Sequence, residues 1–103
     1  MVDFSHGRGS EQRGRRPALV VQNDVGNAHA STTIVAAVTT IIKQYPVTVV
    51  LDRSEGGLKK RSMVNLTQIL TVDRSRLKRR LGALREQSME AVDRAVRISL
   101  DVL

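Results

Sequence analysis

Short apolar runs rich in β-branched residues recur along the chain, at Ala18 to Val21, Thr33 to Val38, Val47 to Leu51 and Ser62 to Leu70. Their length, and the polar or glycine-bearing segments between them, predict strands. Pro17 and Pro46 stand at strand beginnings, where a missing amide donor is tolerated, and the Gly56-Gly57 pair marks a turn. Residues 1–16 mix Gly7, Gly9 and Gly14 with Arg8, Arg13, Arg15 and Arg16 and read as a mobile loop. From Asp73 to Leu84 the spacing of Leu77, Leu81 and Leu84 admits either a short helix or a helix followed by a strand. Beyond Ser88, a suitable N-cap, Met89, Val92, Val96, Leu100 and Leu103 fall on one helical face, which predicts a terminal helix using that stripe for core or dimer packing. The expected architecture is mainly β, a small sheet or barrel with a C-terminal helix.

A chain of 103 residues predicts a single domain over 1–103 with a modest core. It has no cysteine, so neither disulfides nor thiolate metal ligands enter. No apolar run approaches the ~18 to 20 residues of a membrane span, and the polar N-terminus does not read as a signal peptide, so a soluble, cytoplasmic protein is expected. Net charge is +7, and +6 of it falls within residues 52–86. Such a concentrated field favours a polyanionic partner, either nucleic acid or an acidic protein segment. With Phe4 and Tyr45 as the only aromatics, base stacking on rings is a poor basis for affinity, and phosphate contacts have to dominate.

The segments GSEQRGRRPALVVQNDVGN (Gly9 to Asn27), TIVAAVTT (Thr33 to Thr40), SMVNLTQI (Ser62 to Ile69), TVDRSRL (Thr71 to Leu77) and VDRAVRISL (Val92 to Leu100) together resemble the MazF/PemK toxins of bacterial toxin–antitoxin pairs. The resemblance covers nearly the whole chain in the right order. It implies an SH3-like small β-barrel (MazF/PemK/CcdB-like), a homodimer, and cofactor-free, metal-independent cleavage of single-stranded mRNA at short sequences. It also implies a cognate antitoxin whose acidic C-terminal segment occupies the RNA groove. By matching position the catalytic arginine falls on Arg16 and the catalytic threonine on Thr39. The loop holding the scissile phosphate falls on Ser10, Glu11 and Gln12, and further RNA contacts are expected at Arg13, Asn23, Pro46 and Gln68. Members usually carry a longer first strand before the GSEQ loop, so residues 1–16 also include what looks like its remnant, Val2-Asp3-Phe4. Many have arginine at the place of Leu70 and some an acidic base-reading residue at the place of Thr67, so the target sequence does not transfer.

The residue chemistry agrees with such a role. RNA carries its own nucleophile, the 2′-hydroxyl, and an enzyme need only orient the strand and stabilise charge. Arg16 offers a forked, permanently charged donor for phosphate oxygens. Electrostatic stabilisation suits it better than base catalysis, because a guanidinium hardly deprotonates. Only one of Thr39 and Thr40 can face a site, since side chains alternate along a strand, and the family register selects Thr39. Glu11 is either the acceptor of the 2′-hydroxyl proton or a salt-bridge partner of Arg13 or Arg15, worth ~0 to 1 kcal/mol at a surface. Asn23, Asp24, Gly26 and Asn27 are first of all turn residues, with Asn23 the exception expected to touch RNA. His6 and His29 resemble an acid–base pair, but the family motifs do not use them. The stretch Arg74 to Arg80, with Lys59, Lys60 and Arg61, is either a solvated face or a steering field. Two other readings stand beside the nuclease: a catalytically silent relative that binds antitoxin or RNA, and a gyrase-inhibiting toxin of the same architecture.

Overall fold

The computed structural model describes residues 1–5, 15–21, 31–44 and 46–100. Strand β1 (Val2–Ser5) falls within the segment expected to be a mobile loop, the four apolar runs form β2 (Arg15–Val20), β3 (Thr32–Thr39), β4 (Thr48–Leu51) and β5 (Ser62–Asp73), and β6 (Leu77–Arg80) falls within the ambiguous connector. Helix α1 (Glu86–Leu100) follows. The strands make one antiparallel sheet in the order β4-β5-β3-β2-β1-β6. Strand β3 is central because its side chains can be buried on both faces: Ala36 and Val38 join the main core, while Val35 packs on the opposite side with Ala18 and Val72.

The expected barrel is an open sheet among the described residues. β4 and β6 are its edges, each four residues long, and no ladder joins them. Lys78, Arg79 and Arg80 on β6 are exposed, and such cations on an edge discourage further strand pairing. The Val2-Asp3-Phe4 remnant lies in β1, which is paired on both sides, with β2 and with β6. The Asp3–Arg79 ion pair, 3.3 Å, joins β1 to β6.

The ambiguous segment resolves into the end of β5, a 3-10 turn at Arg74–Arg76 and β6. Its leucines have helical spacing without a helix because they serve different cores. Leu77 packs with Ala18, Val35 and Val72, whereas Leu81 and Leu84 pack on the helix side of the sheet.

Helix α1 packs on β4 and β5 through Val92 and Ala95, flanked by Met89 and Val96. Leu100 is 58% exposed, so the predicted stripe is only partly core. The helix begins at Glu86 rather than after Ser88, because Ser88 is not its N-cap: its hydroxyl bonds the Glu55 carboxylate instead. Arg85 grips the same carboxylate through its backbone N–H (3.2 Å) and its guanidinium (3.1 Å). The Glu55 side chain is only 5% exposed. Burial alone would raise its pKa, but the hydrogen bonds from Ser88 and Arg85 and the Arg85 charge hold it below the ordinary 4.5. A depressed carboxylate contributes stability above its unfolded value, and that contribution fades as pH falls from about 4.5 through the lower folded value. Glu55→Gln is therefore expected to flatten this acid limb in urea melts recorded across that range.

The Gly56-Gly57 turn is a 3-10 turn at Glu55–Gly57. Gly57 has φ of 81°, and a β-carbon there would lie 2.0 Å from the Leu81 carbonyl oxygen. Left-handed strain and a backbone clash add, so Gly57→Ala is expected to cost at least ~2 kcal/mol in urea unfolding.

Candidate functional site

β2 and β3 pair in the register Ala18↔Ala37, Leu19↔Ala36 and Val20↔Val35. Continued toward the strand ends, the same antiparallel count sets Arg16 opposite Thr39. Period-two alternation puts Arg16 and Ala18 of β2 on one face of the sheet with Val35, Ala37 and Thr39 of β3. These residues, with Thr67, Gln68, Ile69 and Leu70 of β5, line an open groove of about 810 Å³.

Arg16 is exposed, and no carboxylate among the described residues forms an ion pair with it. Thr39 is half-buried, and its Oγ1 accepts the backbone N–H of Ile41 at 3.1 Å. That bond occupies a lone pair and leaves the hydroxyl proton free to donate. A permanent cation and a neutral donor thus face one apolar hollow, an arrangement suited to a phosphate whose charge meets Arg16 and whose second oxygen meets Thr39. Thr40 is exposed beyond the strand end and is not part of the lining.

Gln68 lines the groove as well, and so do Thr67 and Leu70. Pro46 does not: it is exposed in the turn before β4 and absent from the lining. Ser10, Glu11, Gln12, Arg13 and Asn23, like His6 and His29, lie outside the described residues. Lys59, Lys60, Arg61 and the basic stretch Arg74 to Arg80 contribute no lining residue.

Sequence reasoning missed what brings Thr67 and Gln68 to the groove. In the β3–β5 ladder Ala36 pairs with Ile69 while Ala37 pairs with Asn65, so Leu66, Thr67 and Gln68 bulge out of β5. The Asn65 Oδ1 accepts both the backbone N–H (3.0 Å) and the hydroxyl (2.6 Å) of Thr67. The Leu66 N–H donates to the Val47 carbonyl at 2.8 Å, and its carbonyl accepts the Ser99 hydroxyl of α1 at 2.7 Å. The bulge therefore loses ladder bonds while both Leu66 backbone groups and the Thr67 N–H keep partners, and it turns Leu66 fully into the core while Thr67 and Gln68 stay exposed. One sequence signal exists: asparagine is disfavoured inside a strand and readily bonds the backbone two residues on.

A sheet packed on one side by a helix, with a cationic, hydroxyl-bearing groove on the other, defines a small β-protein built to hold an anionic chain. Residues 1–100 match the family model described as PemK-like, MazF-like toxin of type II toxin-antitoxin system, and the chain belongs to that family. Among similar proteins, Endoribonuclease MazF of Staphylococcus saprophyticus is 42% identical over 102 residues, 97% of this chain and 85% of that protein. Endoribonuclease EndoA of Bacillus subtilis is 42% identical over 104 residues, covering 99% and 90%. A solved endoribonuclease in complex with its cognate antitoxin, from a mycobacterial species, superposes with a TM-score of 0.85 over 99% of this chain and 91% of that one, at 22% identity, a likeness of fold.

Proposed function

We propose that the chain is the toxin of a type II toxin–antitoxin pair and cleaves single-stranded mRNA in the β2–β3–β5 groove without a metal. The observation that carries this reading is that Arg16 and Thr39, from neighbouring strands, line one groove. Family membership and the two endoribonuclease relatives support the same chemistry. The substrate's 2′-oxygen bonds to phosphorus as the bond to the 5′-oxygen breaks. The 2′-hydroxyl proton passes to a base, and the 5′-oxygen takes up a proton. A 2′,3′-cyclic phosphate and a 5′-hydroxyl result. Arg16 offsets the charge that grows on the phosphoryl oxygens, and Thr39 donates to one of them. Glu11 is the proposed proton acceptor on sequence grounds, with Ser10, Gln12, Arg13 and Asn23 as proposed contacts on the same basis.

The proposed setting is the cytoplasm, with the whole chain acting as one unit in a homodimer. The +7 charge draws RNA toward the protein, and an antitoxin with an acidic C-terminal segment would compete for the same groove. The test is incubation of the purified protein with single-stranded RNA in excess chelator. Cleavage with cyclic-phosphate ends is expected. Salt-sensitive binding without cleavage would instead favour the silent-relative reading.

A further inference from the structure

Two threonines face the groove with opposite hydrogen-bond character. Thr39 receives a backbone N–H and keeps its proton to give. Thr67 is the reverse, and Asn65 makes it so. The Thr67 backbone N–H can only donate, so the Asn65 atom 3.0 Å from it has to be the carbonyl Oδ1 and not the amide nitrogen. The Thr67 hydroxyl lies 2.6 Å from that same oxygen, which carries no hydrogen. Two oxygens this close need a proton between them, and Thr67 supplies its only one. What remains for a ligand at Thr67 is a pair of acceptor lone pairs.

From this geometry we propose that Asn65 is a specificity-setting positioning residue: by holding the Thr67 hydroxyl proton, it makes Thr67 a fixed acceptor that selects an amino group over a keto oxygen at the purine 6- or pyrimidine 4-position of one base in the groove. The proposal rests on the groove being an RNA site and adds which base edge it takes. At the purine 6-position and the pyrimidine 4-position adenine and cytosine carry amino donors where guanine and uracil carry keto oxygens, and it is this edge, not the guanine 2-amino group, that the subsite reads. An amino group meets the Thr67 lone pairs, whereas a keto oxygen faces them with no proton to share. Thr67 cannot turn to accommodate it without giving up the Asn65 bond. The bulge adds to the rigidity, since Leu66 is tied to Val47 on one side and to Ser99 on the other. One neutral hydrogen bond made or lost corresponds to about a five- to tenfold preference.

The test separates base selection from chemistry. A randomised pool of uracil-containing 2′-deoxy single strands, which lack the attacking hydroxyl, is bound to the full chain, recovered and sequenced. The wild type should enrich adenine or cytosine about five- to tenfold over guanine and uracil at one position. Asn65→Ala frees the Thr67 hydroxyl to rotate and should flatten that position. Thr67→Val, which keeps the backbone bond to Asn65 and the bulge, should flatten it as well. Asn65→Asp retains the acceptor oxygen and should keep the preference. Profiles of Asn65→Ala and Thr67→Val that superimpose on the wild type overturn the proposal, as does a wild type that enriches no amino base at any position. If the wild type shows the amino preference on the deoxy pool but leaves the matching RNA uncut, the nuclease reading fails and the selection rule stands.

Discussion

Arg16→Ala should cleave RNA ~10²- to 10³-fold more slowly in kcat/KM while unfolding at an unchanged urea concentration, because removing one preorganised charge-stabilising donor costs about that much. The stability half follows from exposure: Arg16 is exposed and forms no ion pair with a described carboxylate. The rate half follows from its place opposite Thr39, where no other described cation lines the groove to substitute. Arg16→Lys should recover only part of the loss, since an ammonium keeps the charge but not the planar fork that spans two phosphate oxygens. Thr39→Val removes a neutral donor and should cost less, ~10- to 10²-fold, the range of one hydrogen bond to a charged group. Initial rates on a short single-stranded RNA at fixed low salt, for all four proteins, check the ranking. Full activity in Arg16→Ala would remove Arg16 from the mechanism and leave the groove without a charge-stabilising group.

Strands β2 to β5 were legible because apolar runs of β-branched residues leave few alternatives, whereas the short β1 and β6 were not. Arg16 and Thr39 were legible as strand-end residues, and the pairing of β2 with β3 brings both to one groove. Three further features were not legible, each for a physical reason. Leu77, Leu81 and Leu84 mimic a helical stripe because apolar spacing does not reveal that the residues belong to opposite faces of a sheet. Ser88 satisfies the chemistry of an N-cap, but a buried carboxylate from a distant turn claims its hydroxyl. The mainly β fold with its C-terminal helix is as expected, but among the described residues the sheet stays open, with the four-residue strands β4 and β6 at its edges, a detail that no local pattern encodes. The bulge lies between these cases. Its cause, Asn65, is visible in the sequence, but its consequence depends on Val47 and Ser99 arriving from elsewhere in the chain.

That bulge makes a second large effect calculable. Leu66→Ala should lower stability by ~3 kcal/mol, within the 2 to 5 typical of a fully buried leucine cut to alanine, and a chain of this size has only ~5 to 10 kcal/mol in total. Leu66 is 0% exposed and sits among Leu19, Val64, Val92 and Ala95, which belong to the sheet and to α1, so the cavity cannot close without moving the helix. Leu70, four positions on in the same strand, is 47% exposed on the groove side, and Leu70→Ala should change stability by no more than about 0.5 kcal/mol. Urea unfolding with the slope compared between variants makes the measurement, since a shared slope shows that the same surface is exposed each time. The two variants should also differ in RNA binding for opposite reasons. Leu66→Ala loosens the backbone that presents Thr67 and Gln68 and should weaken binding through the fold, whereas Leu70→Ala leaves that backbone intact and alters only the groove wall. Equal stability losses at the two leucines would mean that the bulge does not divide core from groove, and the placement of Thr67 and Gln68 would need another cause.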